Sequence, residues 1–222
     1  MSIKLPYVFI SYQTRDKLIA AEVQDMLAEH GVTSFLAHED IEVSIPWQDK
    51  ILEELGRAEI FICLLSRHYA QSPWCLQESG IACFRNMHII PLSLDGSIPE
   101  GFISSVQSKR IDPKFGIQLD DFIDGLKAYD PALAVVMLTT RLRDATTLPS
   151  VEKYLRLLME LLNDVNESYG QRVLDVCFEN PHIFNQDGFA AIYLPQLLKR
   201  LKHTLDPARA ALMQDRVAQS RR

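Results

Sequence analysis

The chain has 222 residues, 47% of them hydrophobic and 23% charged, enough for one α/β core plus a smaller helical unit. A net charge of −6 argues against general nucleic-acid binding, and no apolar run approaches the ~20 residues that a membrane-spanning helix needs. The acidity is uneven, with 11 Lys/Arg against 19 Asp/Glu in residues 1–130 and 12 against 10 in residues 131–222. The late basic residues, Lys199, Arg200, Lys202, Arg221 and Arg222, read as a solvated face. Cys63, Cys75, Cys83 and Cys177 form no CxxC pair, and no signal peptide precedes Tyr7, so the expectation is a cytoplasmic protein with reduced thiols.

Strand and helix patterns alternate through the first part. Residues 7–11 form a short apolar run, and residues 14–30 then carry helical periodicity, with Thr14 as candidate N-cap and Gly31 as stop. Residues 32–36 read as a second strand, and the polar, acidic stretch 37–46 as a loop. Pro46 starts a helix running to about Arg57. A third strand spans 60–65, Pro73 opens a third helix running to Phe84, and a fourth strand spans 88–94 before the Asp95-Gly96 turn. A weak fifth strand lies in 106–111, followed by a helix over 119–129.

Short, continuously apolar strands separated by helices predict a parallel sheet covered on both faces. With a flavodoxin-like strand order 2-1-3-4-5, the topological switch point falls between the first and third strands, where such sheets bind ligands. Ser11, Tyr12 and Ser66 would then border one crevice, beside the helix that carries Glu78. After residue 130 the alternation stops. Apolar stripes run through 131–143, 151–165 and 188–205, and Asp206-Pro207 restarts a last amphipathic segment. Residues 131–222 are therefore expected to be an α-helical extension to a 1–130 domain, burying its stripes against that domain or in assembling copies.

The most telling stretch is Ser72-Pro-Trp-Cys-Leu-Gln-Glu78, in which Trp74 and Glu78 share one helical face just beyond the third strand. It joins Phe9-Ile-Ser-Tyr12 with Arg15-Asp16, the Asp40-containing loop, Leu64-Leu65-Ser66 and the strand beginning His88-Ile-Ile-Pro. Together these motifs resemble a TIR (Toll/interleukin-1 receptor) domain over residues 5–130, and the WxxxE form is similar to bacterial enzymatic members. The extension resembles no known family.

That resemblance implies one of two functions. Some TIR domains are adaptors that bind other TIR domains. Others cleave the nicotinamide–ribose bond of NAD, giving ADP-ribose or a cyclic or conjugated product, which in Thoeris-like bacterial antiphage systems serves as the signal. NAD is then substrate rather than cofactor, and Glu78 falls on the motif position of the required carboxylate. One carboxylate is adequate chemistry, because nicotinamide leaves as a neutral molecule and needs no general acid, unlike the alkoxide of an ordinary glycoside. A lone anion then stabilises the oxocarbenium-like ribose.

Five residues support the site, four of them with two readings each. Trp74 either stacks on the nucleotide or anchors the third helix. Ser66 either bonds a ribose or phosphate oxygen or caps a turn. Tyr12 and Arg15 stand where the family places substrate contacts, and Arg15 suits a pyrophosphate, although it also fits a solvated helix start. Trp47 either stacks on a base, across an interface between copies, or staples the second helix. The 37–46 loop lacks the family's glycine and has Ser44 and Ile45 there. No HxxxH spacing supports a metal site, and no glycine-rich phosphate cradle is present. The resemblance further implies self-association and, in a defence setting, a phage-derived trigger or downstream effector. The alternatives are a non-catalytic TIR–TIR module, an effector mimic of host adaptors, and a glycosyl-transferring enzyme in which the carboxylate is a covalent nucleophile.

Overall fold

The computed structural model describes residues 4–37, 47–184, 189–201 and 205–219. The expectations placed on Asp40, Ser44, Ile45, Pro46, Lys202, Arg221 and Arg222 lie outside that set. The chain divides into two compact units, 1–125 and 126–222, with the division falling inside helix α4 (Ile123–Tyr129).

The first unit is built on strands β1 (Val8–Ser11), β2 (Ser34–Leu36), β3 (Ile60–Leu65), β4 (His88–Ser93) and β5 (Lys109–Arg110). They form one parallel sheet in the order β2-β1-β3-β4-β5, the flavodoxin-like order assumed for the fold class. The strand order therefore reverses between β1 and β3. Helices α1 (Lys17–Glu29), α2 (Trp47–Arg57) and α3 (Pro73–Phe84) complete the alternation. Every residue of β1 and β3 is buried, which is why these strands are apolar except for Ser11 at the end of β1. Phe9 packs against Phe35 and Phe61, at ring-centroid distances of 5.4 and 5.7 Å, and this aromatic row continues into Ile51 and Leu55 of α2.

Pro91 lies within β4, where a proline usually argues against a paired strand. The N–H groups of His88 and Leu94 bond the carbonyls of Glu59 and Leu65, so even-numbered positions donate toward β3. Pro91 therefore faces away from β3, and β5 pairs only with Leu92 and Ser93, so no ladder bond is lost. Two of the boundaries that differ from expectation have a local cause. The Gln13 side chain accepts from Arg15 N–H and starts a 3-10 turn at Thr14–Asp16, so α1 begins at Lys17. The helix expected over 119–129 splits into a 3-10 turn, Leu119–Asp121, and α4, because the Asp121 carboxylate reaches back to Gln118 N–H at 2.8 Å.

The second unit is all helix: α5 (Pro131–Asp144), α6 (Leu148–Leu161), α7 (Glu167–Glu179), α8 (Pro181–Phe184), α9 (Phe189–Arg200) and α10 (Pro207–Gln219). Asp130 caps α5 by accepting from Ala132 N–H at 2.9 Å. Helix α7, which the stripe reading passed over, buries Val173, Leu174, Val176 and Cys177. It packs on α5 and α9, and α5 also packs on α6. Val151, Leu155 and Leu158 of α6 and Leu194, Leu197 and Leu201 at and after α9 are buried, and α9 packs on both α6 and α7. Asn180 locks the arrangement, its buried amide donating to the Leu142 and Ala145 carbonyls at 2.7 and 2.9 Å.

In the first unit, α4 approaches β4 closely enough that a Cβ on Gly125 would stand 2.9 Å from three atoms of Ile90. Ile90 is β-branched and cannot swing aside. Gly125→Ala should therefore lose roughly 1–2 kcal/mol net, overpacking outweighing the gain in helix propensity. Chemical denaturation should show that loss, and Ile90→Ala in the same chain should reduce it. Equal stability of Gly125→Ala and parent would mean that the contact yields.

Candidate functional site

Two periodicities aim a polar cluster into the core below the switch point. Helix α3 starts at Ser72, whose hydroxyl accepts from Cys75 N–H at 3.4 Å, with Pro73 in its first turn. From there Cys75, Glu78, Ser79 and Ala82 form the buried stripe, so Glu78 takes a core position of the helix. In β1 the pleat puts Ser11 on the same face as Phe9, and its register partner is Cys63 of β3. Helix α3 packs on that face of β1.

Glu78 and Ser11 meet there. Ser11 Oγ donates to Glu78 Oε2 at 2.5 Å, and Glu78 is only 1% exposed. Its Oε1 is buried with no hydrogen-bond partner among the described residues. Burial pushes the carboxyl up to about 8, which the Ser11 hydrogen bond only partly opposes. Tyr69, on the loop after β3, places its hydroxyl 2.9 Å from Ser11 Oγ and 2.9 Å from Ser79 Oγ. Ser79 also lies 2.8 Å from the Cys75 carbonyl. Burial pushes the Tyr69 phenol and the Cys63 and Cys75 thiols well above their ordinary values, so all three stay neutral. Cys75 is thus no thiolate nucleophile, and its thiol donates to the Tyr12 carbonyl.

The other sequence-predicted residues divide between surface and core. Trp74 is half-buried, and its ring meets that of Trp47 edge-on, with centroids 3.9 Å apart and planes at 60°. Trp47 is 37% exposed, so the pair forms an aromatic ledge with one face toward solvent. Arg15 is exposed, with Nη1 3.5 Å from His68 Nε2, and Arg67 Nε donates to the same nitrogen at 3.3 Å. Ser66 is engaged within its loop, donating to Asp16 at 2.7 Å and accepting from the backbone N–H of His68 and Tyr69. Tyr12 is wholly buried. An open groove lined by Asp16, Ser66, Arg67, His68, Leu94 and Asp95 runs across the carboxyl ends of β3 and β4.

Sequence reasoning missed Ser11 and Tyr69 as partners of Glu78. Ser11 carried a faint signal, being a hydroxyl that ends an otherwise apolar strand. Tyr69 carried none, because its contacts with Ser11 span 58 positions.

The TIR domain profile matches residues 8–127, more than half of the chain. No curated protein matches the sequence. Among solved structures it is similar to the TIR domain of the Toll-related receptor TRR-2 from Hydra magnipapillata, at 16% identity and a TM-score of 0.43 over 49% of this chain and 86% of that one. With the five-stranded parallel sheet and the profile match together, this chain belongs to the TIR domain family.

Proposed function

We propose that the chain is an NAD glycohydrolase or ADP-ribosyl cyclase of the bacterial TIR branch, acting in antiphage signalling in the cytoplasm. The observation that carries the reading is Glu78, a core-position carboxyl at the switch point with one buried oxygen unpartnered and no cation among the described residues acting on it. A structural carboxylate in a core is paired, and one held at such a cost in desolvation is a candidate for chemistry. TIR membership supports signalling or NAD cleavage in general. The finer assignment rests on Glu78.

In this reading the positive nicotinamide ring and the oxocarbenium-like ribose draw Glu78 into its ionised form. The anion then stabilises the transition state while nicotinamide departs neutral, and water or a hydroxyl of the substrate takes the ribose carbon. Trp47 and Trp74 offer a stacking surface for a base. Arg15, with Arg67 and His68 beside it, meets the pyrophosphate. Tyr12 and Ser66 support the site from behind, one in the core and one holding the loop. Self-association, general among TIR domains, suits the exposed Leu76, Ile98, Phe84 and Phe102 on and beside α3.

Purified protein with NAD should release nicotinamide, detected by chromatography with mass spectrometry, and Glu78→Gln should lower the rate about 100-fold or more. Release unchanged in Glu78→Gln would overturn the assignment. No release at any protein concentration would favour the adaptor reading.

The rate should also depend on pH. kcat/KM reports the free enzyme, so it should climb as pH rises toward about 8 and then level off. A flat profile from pH ~6 to ~9 would argue that Glu78 does not need to ionise.

Stability should move the opposite way. Glu78 holds its proton more tightly folded than unfolded, so its favourable contribution is complete below its ordinary value of 4.5 and is lost as pH rises through about 8. Glu78→Gln, which mimics the neutral acid, should therefore stabilise the chain increasingly with pH, by on the order of 3 kcal/mol near neutrality. Thermal melts across pH would show it, and a uniform loss of stability in the variant would contradict the buried-acid description.

A further inference from the structure

The hydroxyls behind Glu78 form an unbroken chain. Glu78 Oε2 is 2.5 Å from Ser11 Oγ, Ser11 Oγ is 2.9 Å from Tyr69 OH, Tyr69 OH is 2.9 Å from Ser79 Oγ, and Ser79 Oγ is 2.8 Å from the Cys75 carbonyl. Each hydroxyl has one hydrogen, so along these short contacts donating toward one neighbour means accepting from the other, with the Cys75 carbonyl, 3.4 Å from Tyr69 OH, a longer alternative acceptor. We propose that Tyr69, acting through Ser11, is the positioning residue of the Glu78 site, in a relay whose donor direction reverses when Glu78 changes charge.

In the neutral form Glu78 donates to Ser11, Ser11 to Tyr69, Tyr69 to Ser79 and Ser79 to the Cys75 carbonyl. That arrangement uses four hydrogens. In the ionised form Ser79 donates to Tyr69, Tyr69 to Ser11 and Ser11 to Glu78 Oε2, using three. The one hydrogen of difference leaves as a proton to water. The Cys75 carbonyl tolerates the loss of Ser79 because α3 supplies it with a backbone donor. Both charge states thus keep every hydroxyl paired, a condition that few buried networks meet in two forms.

The groups that face this chain do not compete with Glu78 for the proton. Cys75 lies on its own helix, Cys63 lies opposite Ser11 in the sheet, and Tyr69 comes from the loop. Burial keeps all three neutral. Burial raises Glu78, the Ser11 hydrogen bond partly opposes it, and the Glu78 charge in turn helps to hold Cys75 protonated. Tyr69 and Ser79 also line a narrow cleft with Leu76, Ser97 and Glu100, so the far end of the relay approaches solvent away from the tryptophan ledge.

The consequence for turnover rests on the glycohydrolase reading, but the relay itself is read without substrate. In the full chain labelled with carbon-13 at glutamate carboxyls, nuclear magnetic resonance follows the Glu78 titration, assigned by its absence in Glu78→Gln. In the ionised form Tyr69 polarises the Ser11 hydroxyl toward the charge. The neutral acid gains less from Tyr69, because its hydrogen bond with Ser11 is between neutral groups and is strengthened less by polarisation than a bond to the carboxylate. Tyr69→Phe should therefore raise the Glu78 midpoint by roughly half a unit or more, and Ser79→Ala by less, with melting temperatures recorded to confirm folding. Should Tyr69→Phe not fold, the sign of the Ser79→Ala shift decides. An unchanged or lowered midpoint in the folded variants overturns the relay. If the midpoint rises but neither variant nor parent releases nicotinamide from NAD, the relay stands and the enzymatic reading falls.

Discussion

The meeting of β1 and α3 at the Ser11–Glu78 hydrogen bond sets the character of the first unit. A parallel sheet covered on both faces wants apolar residues at every inward position, and β1 and β3 supply them almost throughout. Placing a carboxyl inside that layer is costly unless it stays neutral or finds a counter-charge. Glu78 finds only hydroxyls, so it stays neutral in the resting protein. The surrounding polar residues, Ser11, Tyr69 and Ser79, are buried for the same reason: each gives another of them its hydrogen bond.

Glu54 shows what a structural carboxylate looks like in the same unit. It too is nearly inaccessible, at 3% exposure, but Lys50 lies 2.6 Å away, Tyr7 OH donates at 2.6 Å and Arg57 sits at 3.2 Å. Burial alone would raise its carboxyl, but the hydrogen bonds from Lys50 and Tyr7 outweigh it and hold the group below its ordinary value. Two buried glutamates on adjacent helices are therefore shifted in opposite directions, Glu54 toward the anion and Glu78 toward the neutral acid. Composition and spacing do not separate them, and a cation one turn away does. This contrast, more than the burial of Glu78 alone, sets it apart as chemically poised.

The parts legible in the sequence were those governed by local chemistry. The alternation of apolar runs and helical stripes predicted a parallel sheet flanked by helices, and Ser72-Pro73 marked the start of α3 to the residue. Helix α7 was missed because its stripe is diluted by Gly170 and by polar residues such as Gln171 and Arg172. At the site, Trp74 and Glu78 were visible through their spacing, and Trp47 was assigned without any hint that it touches Trp74 across 27 positions. Ser11 and Tyr69 were not legible as partners of Glu78 because the sheet register, and no sequence interval, brings them together. Ser66, at the end of β3, followed the commoner use of a turn hydroxyl and capped its own loop.

A neutral resting carboxyl need not weaken a mechanism that calls for an anion. Raising Glu78 from 4.5 to about 8 corresponds to roughly 5 kcal/mol against ionisation. A unit positive charge ~4 Å away, at the effective dielectric of a protein site, returns about 4 kcal/mol. A bound nicotinamide cation is therefore of the right size to cancel most of the penalty, while an uncharged ligand of the same shape is not. In the proposed enzyme the charge needed for catalysis would appear only when the positively charged ring occupies the site. Burial of Glu78 then acts as a filter for oxidised over reduced nicotinamide, since the reduced ring carries no charge to offset the cost. The relay through Ser11 and Tyr69 fits that scheme, because a carboxyl that waits neutral and works ionised must be hydrogen-bonded well in both states.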